Sequence, residues 1–254
     1  MLNYNSGPEI IRMKRLLQKS YLYTGFFIFG MAMLLVFPVV GLAHSILGNR
    51  GSERIKLWCM KFWASSFYTF GVWFVHRGSI RAQKNWPSGP VILVANHNSL
   101  LDTPAIYLML KRFALPLAKV ELTRAPVFGH LCRWITLPVD RRSSESRTKA
   151  MNDMRNYLAE GGSLVIFPEG KTNKTAGILQ PFEPGAFRLS KECGIPVVPV
   201  AILGTRYCLG SGNPMILRPG FVETRSGEVF FPENFPDALS MQQAVHQWFH
   251  RQLS

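Results

Sequence analysis

The chain has 254 residues, 47% hydrophobic and 17% charged, and its 29 Lys and Arg against 15 Asp and Glu leave a formal net charge of +14. Apolar content near the globular mean, with Gly and Pro scattered rather than periodic, excludes a disordered polymer, a collagen-like fibre and a low-complexity chain. The basic excess points to an anionic partner, and the low charged fraction leaves apolar surface for lipid.

Residues 20–49 contain no Asp, Glu, Lys or Arg. The run is long enough to cross a hydrocarbon core of roughly 30 Å, and it outlasts the apolar stretch of a removable signal peptide. Basic residues flank both ends (Arg12, Lys14, Arg15 and Lys19 before, Arg50, Arg54 and Lys56 after), so the positive-inside bias gives little orientation. Residues 57–75 follow, apolar and dense in Trp, Phe and Tyr with one charge, Lys61, as at a headgroup interface. Two arrangements fit: a shallow helical hairpin in one leaflet, or a spanning helix followed by an interfacial one. Pro38 and Gly41 offer the first segment a bend. Residues 1–78 are thus expected to form an N-terminal membrane-embedded helical arm ahead of a domain over 79–254.

Past Arg77, short β-branched runs alternate with amphipathic stretches, the pattern of an α/β domain with a mixed sheet flanked by helices. Strands are expected at 91–95, 113–118, 134–139, 163–167 and 197–203. One helix opens at the Ser143-Ser144 cap, turns Ala150, Met151, Met154 and Leu158 to one face and stops at Gly161-Gly162; the next spans 184–193 and stops at Gly194. A last helix is expected to open at Ser240 with Gln243 completing a capping box, burying Met241, Ala244, Val245 and Trp248. Cys59, Cys132, Cys193 and Cys208 are far apart, which suits reduced thiols facing a cytoplasmic compartment.

The expected strand at 91–95 leads into Asn96-His97-Asn98-Ser99-Leu100-Leu101-Asp102-Thr103-Pro104. In a regular helix His97 and Asp102 would be roughly 140° apart around the axis, so a loop is needed to bring them together. Thr103 as N-cap with Pro104 at the first helical position would leave both residues in that loop. There the Asp can accept from one imidazole nitrogen and free the other to take a proton. Taken alone, a loop His beside a capping Asp is the more ordinary reading.

Three further blocks stand near expected strand ends or in a strand: Pro138-Val139-Asp140-Arg141-Arg142, Phe167-Pro168-Glu169-Gly170-Lys171 and Val197-Val198-Pro199-Val200. Together and in this order, the four blocks resemble the glycerolphosphate acyltransferase family, most closely its bacterial 1-acyl-glycerol-3-phosphate acyltransferases, over roughly residues 81–205. The resemblance implies that His97 is the general base on a lipid hydroxyl and that Asp102 orients it. It also implies that Arg141, Glu169, Gly170 and Lys171 serve the acceptor. Where the family usually continues Thr-Arg after Glu-Gly, this chain has Lys171-Thr172, so Lys171 or Lys174 would stand in for a guanidinium as a point charge.

The implied reaction moves an acyl group from acyl-CoA or acyl carrier protein to lysophosphatidate at the cytoplasmic side of an inner membrane, with no cofactor beyond the co-substrate. A G-x-S-x-G elbow is missing from the sequence, which leaves a serine hydrolase without its nucleophile, and no metal-ligand spacing occurs among His and Cys. The alternatives are a lyso-aminolipid acceptor, a lipid-ester hydrolase, and a non-catalytic basic protein on membrane or nucleic acid. Nucleic acid is not expected as a partner, because the aromatics concentrate before Arg77, apart from much of the basic excess.

Overall fold

A computed structural model describes residues 8–77, 86–125, 128–140, 142–175, 177–210 and 216–254. The first described element is α1 (Pro8–Gly51), whose run up to Gly48 is about 60 Å long at 1.5 Å per residue. By length and composition this helix is able to cross a membrane. Gly48 takes a left-handed φ of 69°, a conformation that costs glycine little, and the chain doubles back there into α2 (Glu53–Ser65). Polar contacts fasten the corner. Lys56, fully buried, donates to the carbonyl and side-chain oxygens of Asn49 at 3.2 and 2.7 Å, and Glu53 accepts from Arg50 and from Tyr157.

A short 3-10 turn follows α2, and Gly71, also left-handed, delivers the chain into β1 (Val72–Arg77). The aromatic stretch expected at an interface is therefore divided. Trp63, Phe67 and Phe70 are buried, Trp63 and Phe67 packing edge-on against Phe29 of α1, whereas Trp58, Phe62 and Trp73 are exposed. β1 belongs to the sheet, so the boundary drawn at residue 78 cuts off an integral strand. The core also continues into α1 through Ala32, Met33, Val36 and Val40.

The remaining elements are β2 (Ile92–Ala95), α3 (Asp102–Met109), β3 (Leu115–Lys119), α4 (Phe128–Ile135), β4 (Leu137–Val139), α5 (Ser144–Ala159), β5 (Leu164–Ile166), α6 (Gly185–Cys193), β6 (Val197–Leu203), the short α7 (Thr205–Cys208), β7 (Gly220–Ser226) and α8 (Ala238–Leu253). Among the described residues, seven strands form one mixed sheet in the order β1-β7-β6-β2-β5-β3-β4. Every pairing is parallel except β6 with β7. Parallel strands need crossover helices and are covered on both faces, and accordingly all of Ile92–Ala95 and all of β6 but Leu203 are buried.

Several expected boundaries move, among them β3, which starts at Leu115 rather than residue 113. Residues 134 and 135 end α4 rather than start a strand, because Leu131, Cys132 and Ile135 recur at helical spacing on its buried face. Trp134 stacks on Phe37 at 5.3 Å and fills the notch at Gly41, where an added Cβ would lie 2.8 Å from the indole. The last helix opens three residues earlier than expected, with Asp237 as N-cap and Ser240 as its reciprocal partner. α3 starts at Asp102 itself, which places Pro104 in the first turn, where its missing N–H leaves no bond unmade.

Candidate active site

β2 lies between β6 and β5, and its carboxyl end opens the site, as expected of ligand sites in open α/β sheets. Asn96 anchors this end. Its amide donates to the carbonyl of Ile202 at 2.8 Å and accepts from the Ile202 N–H at 2.7 Å, which ties the loop to β6.

His97 follows, held on every side. Its Nδ1 is 2.8 Å from Oδ2 of Asp102, and its ring stacks on Phe167 with centroids 4.4 Å apart. The same Oδ2 accepts from the backbone N–H groups of Asn98 and Ser99, at 2.6 and 2.8 Å. Asp102 is fully buried in the first turn of α3. A carboxylate so fixed accepts Nδ1–H, and Nε2 is left as the basic nitrogen. Nε2 is 3.0 Å from the hydroxyl of Thr172. The His97 side chain is 21% exposed, enough to meet a substrate.

Beside His97 opens a cavity of about 550 Å³, within the range of ligand pockets. Its walls are mostly apolar, with Phe26, Phe29 and Met33 from α1, Met60 and Trp63 from α2, and Leu117 from β3. Among the described residues, the cationic groups on it are Lys119, at the end of β3, and Lys171, after β5. An imidazole whose Nε2 meets only a hydroxyl, beside a greasy cavity with two ammonium groups, can deprotonate a hydroxyl on an anionic, acyl-bearing molecule.

Other expected residues fare differently. Glu169 is 4% exposed, and its carboxylate turns inward: Oε1 accepts the His97 N–H at 2.8 Å and Oε2 the Gln180 N–H at 3.0 Å. Burial pushes its pKa up, against the pull of those two amides. The Glu169 carboxylate thus braces the backbone of the His97 loop. Gly170 has a φ of 73° and closes a tight turn with its N–H on the Phe167 carbonyl, so a side chain there would be strained. Arg141 lies outside the described residues. Its neighbour Arg142 is exposed and paired with Glu121 and Asp140 at 3.0 and 3.4 Å.

Sequence reasoning missed Thr172, Asn173, Lys119 and Arg206. Asn173 is fully buried, and its N–H donates to the His97 carbonyl at 2.7 Å. Ser99 is not available as a nucleophile, since its hydroxyl donates to the Leu209 carbonyl at 2.5 Å. Among the described residues, no group of three or more His, Cys, Asp and Glu side chains could hold a metal ion.

The family model described as Acyltransferase matches residues 77–203. The chain is 35% identical over 174 residues to the 1-acyl-sn-glycerol-3-phosphate acyltransferase of Haemophilus influenzae, covering 66% of this chain and 68% of that one. It is 29% identical over 194 residues to the chloroplastic 1-acyl-sn-glycerol-3-phosphate acyltransferase BAT2 of Brassica napus, covering 75% of this chain and 54% of that one. The chain thus spans about half the length of its plant and algal relatives. Among solved structures, the 1-acyl-sn-glycerophosphate acyltransferase PlsC of Thermotoga maritima superposes with a TM-score of 0.71 at 23% identity, over 95% of each chain. At that identity the likeness establishes the fold.

Proposed function

The chain belongs to the acyltransferase family, and from that membership and the setting of His97 we propose that it moves a fatty acyl group from acyl-CoA or acyl carrier protein to the free hydroxyl of 1-acyl-glycerol-3-phosphate, giving phosphatidate. The observation that carries this reading is the His97 ring itself, with Nδ1 held by a buried carboxylate and Nε2 within 3.0 Å of a hydroxyl beside an apolar cavity. In the reaction the acceptor hydroxyl displaces Thr172 from Nε2 and gives up its proton as its oxygen attacks the thioester carbonyl. Asp102 stabilises the imidazolium. When the tetrahedral intermediate collapses, the carbon–sulfur bond breaks and the imidazolium returns the proton to the departing thiolate. The acyl group passes directly between substrates, in keeping with a Ser99 hydroxyl that is already committed.

The cavity between the helical arm and the sheet is suited to the acyl chain. Lys119 and Lys171 would receive the acceptor's phosphate, with Arg141 as a further contact on the strength of the family block alone. Apolar side chains along α1, including Phe27, Leu34, Leu42 and Ile46, are exposed. They would rest in the lipid of an inner membrane with the site on its cytoplasmic side, where donor and acceptor meet. The net charge of +14 suits an anionic donor. A lyso-aminolipid acceptor is the second reading, favoured by Thr172 on Nε2 at the place where the family pattern leads one to expect a phosphate-binding Arg.

Purified full-length chain, supplied with labelled acyl-CoA and in turn with lysophosphatidate, a zwitterionic lyso-lipid and no acceptor, decides among these. Phosphatidate formation at the highest kcat/KM supports the proposal. Preference for the zwitterionic acceptor transfers it to the second reading, and free fatty acid without acceptor would make the protein a hydrolase.

A further inference from the structure

Arg206 sits in α7, just past the end of β6, and its guanidinium joins two loops far apart in the chain. Nη1 donates to the Thr175 carbonyl at 2.8 Å, and Nη2 donates to the Asn98 side-chain oxygen and the Asn173 carbonyl, both at 3.0 Å. Each acceptor is within three residues of a group at the reacting nitrogen. Asn98 follows His97 and donates its N–H to Asp102. Asn173 follows Thr172, the residue on Nε2, and donates its N–H to the His97 carbonyl. Thr175 closes the turn, its N–H and hydroxyl both donating to the Asn173 side-chain oxygen, at 3.0 and 2.8 Å.

Arg206 is half-buried and does not line the cavity beside His97. A planar fork suits this position, because two nitrogens a fixed distance apart reach three acceptors on two loops, whereas an ammonium offers its donors from one point. Building on the acyl-transfer reading of the site, we propose that Arg206 is a positioning residue for the reaction. Its guanidinium pins the 172–175 turn to the His97 loop and so fixes where a hydroxyl meets Nε2. Misplacing a reacting pair by about 1 Å is enough to cost on the order of 10²-fold in rate.

The test uses the full-length chain in detergent, with Arg206→Lys and Arg206→Ala. Both should lower kcat by about 10- to 100-fold and leave KM for donor and acceptor within about threefold. Added guanidinium should restore part of the loss in Arg206→Ala and little in Arg206→Lys, where the ammonium fills the place. Amide hydrogen exchange provides a readout that needs no activity. Exchange at Asn173 and Thr175 should quicken at least about tenfold in Arg206→Ala, with β2 and β6 unchanged. The proposal is overturned if Arg206→Ala keeps kcat within about threefold of an active wild type, or if the Asn173 and Thr175 amides exchange as before. Exchange quickened throughout the sheet would reduce Arg206 to a general stabiliser and overturn it too. A wild type without acyl transfer would defeat the proposed function, and unchanged exchange would still defeat the clamp separately.

Discussion

Replacing Asp102 with Asn separates orientation from charge. The Asn carbonyl oxygen can take the place of Oδ2 and still accept from Nδ1, Asn98 N–H and Ser99 N–H, all within 2.8 Å in the wild type. The full negative charge beside the imidazolium is lost. Two unit charges 2.8 Å apart at an effective dielectric of about 20 attract by about 6 kcal/mol. The amide dipole keeps part of this, so the barrier should rise by about 3–5 kcal/mol, a drop of about 10²–10⁴ in kcat. KM for both substrates should hold, because Asp102 is fully buried beneath the imidazole. Steady-state kinetics at saturating donor and acceptor, with a melting curve to show the fold intact, is the assay. A kcat within about threefold of wild type would refute the reasoning, and a raised KM with unchanged kcat would mean that Asp102 binds substrate.

Glu169→Gln replaces a carboxylate that accepts two backbone N–H groups with an amide that can accept only on its oxygen. The orphaned N–H should cost about 1–3 kcal/mol, seen as a lower Tm with acceptor KM unchanged; a rise in acceptor KM at constant Tm would instead make Glu169 an acceptor-binding residue. Lys119→Ala and Lys171→Ala should each raise KM for lysophosphatidate several-fold and leave that for a zwitterionic lyso-lipid alone, and equal effects on both acceptors would dissociate these lysines from the phosphate. Cys132 lines the cavity, and burial pushes its thiol up to about 11, so iodoacetamide should modify it slowly at pH 8 and faster as the pH rises toward that value. Rapid labelling of Cys132 at neutral pH would contradict this.

The central strands were legible because strands covered on both faces read as unbroken apolar runs. β6 has the bounds expected of it, and β2 and β5 lie within one residue of theirs at each end. β1 escaped because Val72-Trp73-Phe74-Val75 continues an aromatic stretch and carries no local sign that its partner is β7, nearly 150 residues on. β7 escaped because its buried Val222 and Thr224 alternate with Glu223 and Arg225, without the unbroken apolar run of the central strands. Within the site, His97 and Asp102 are five residues apart, close enough for sequence to suggest their pairing. Thr172 and Arg206 reach the same loop across 75 and 108 residues, a meeting that only the sheet order produces. Glu169 was visible as a motif residue, but the two amides that claim its oxygens belong to His97 and Gln180, and spacing says nothing of their direction.

The central claim is that His97 Nε2 takes the acceptor's proton. The most direct measurement is single-turnover acyl transfer from labelled acyl-CoA to lysophosphatidate by wild type and by His97→Ala, with acceptor binding measured alongside. Removing a general base should slow phosphatidate formation by about 10²–10⁴-fold while binding and Tm stay near those of wild type. Phosphatidate formed by His97→Ala within about threefold of the wild-type rate would contradict the account.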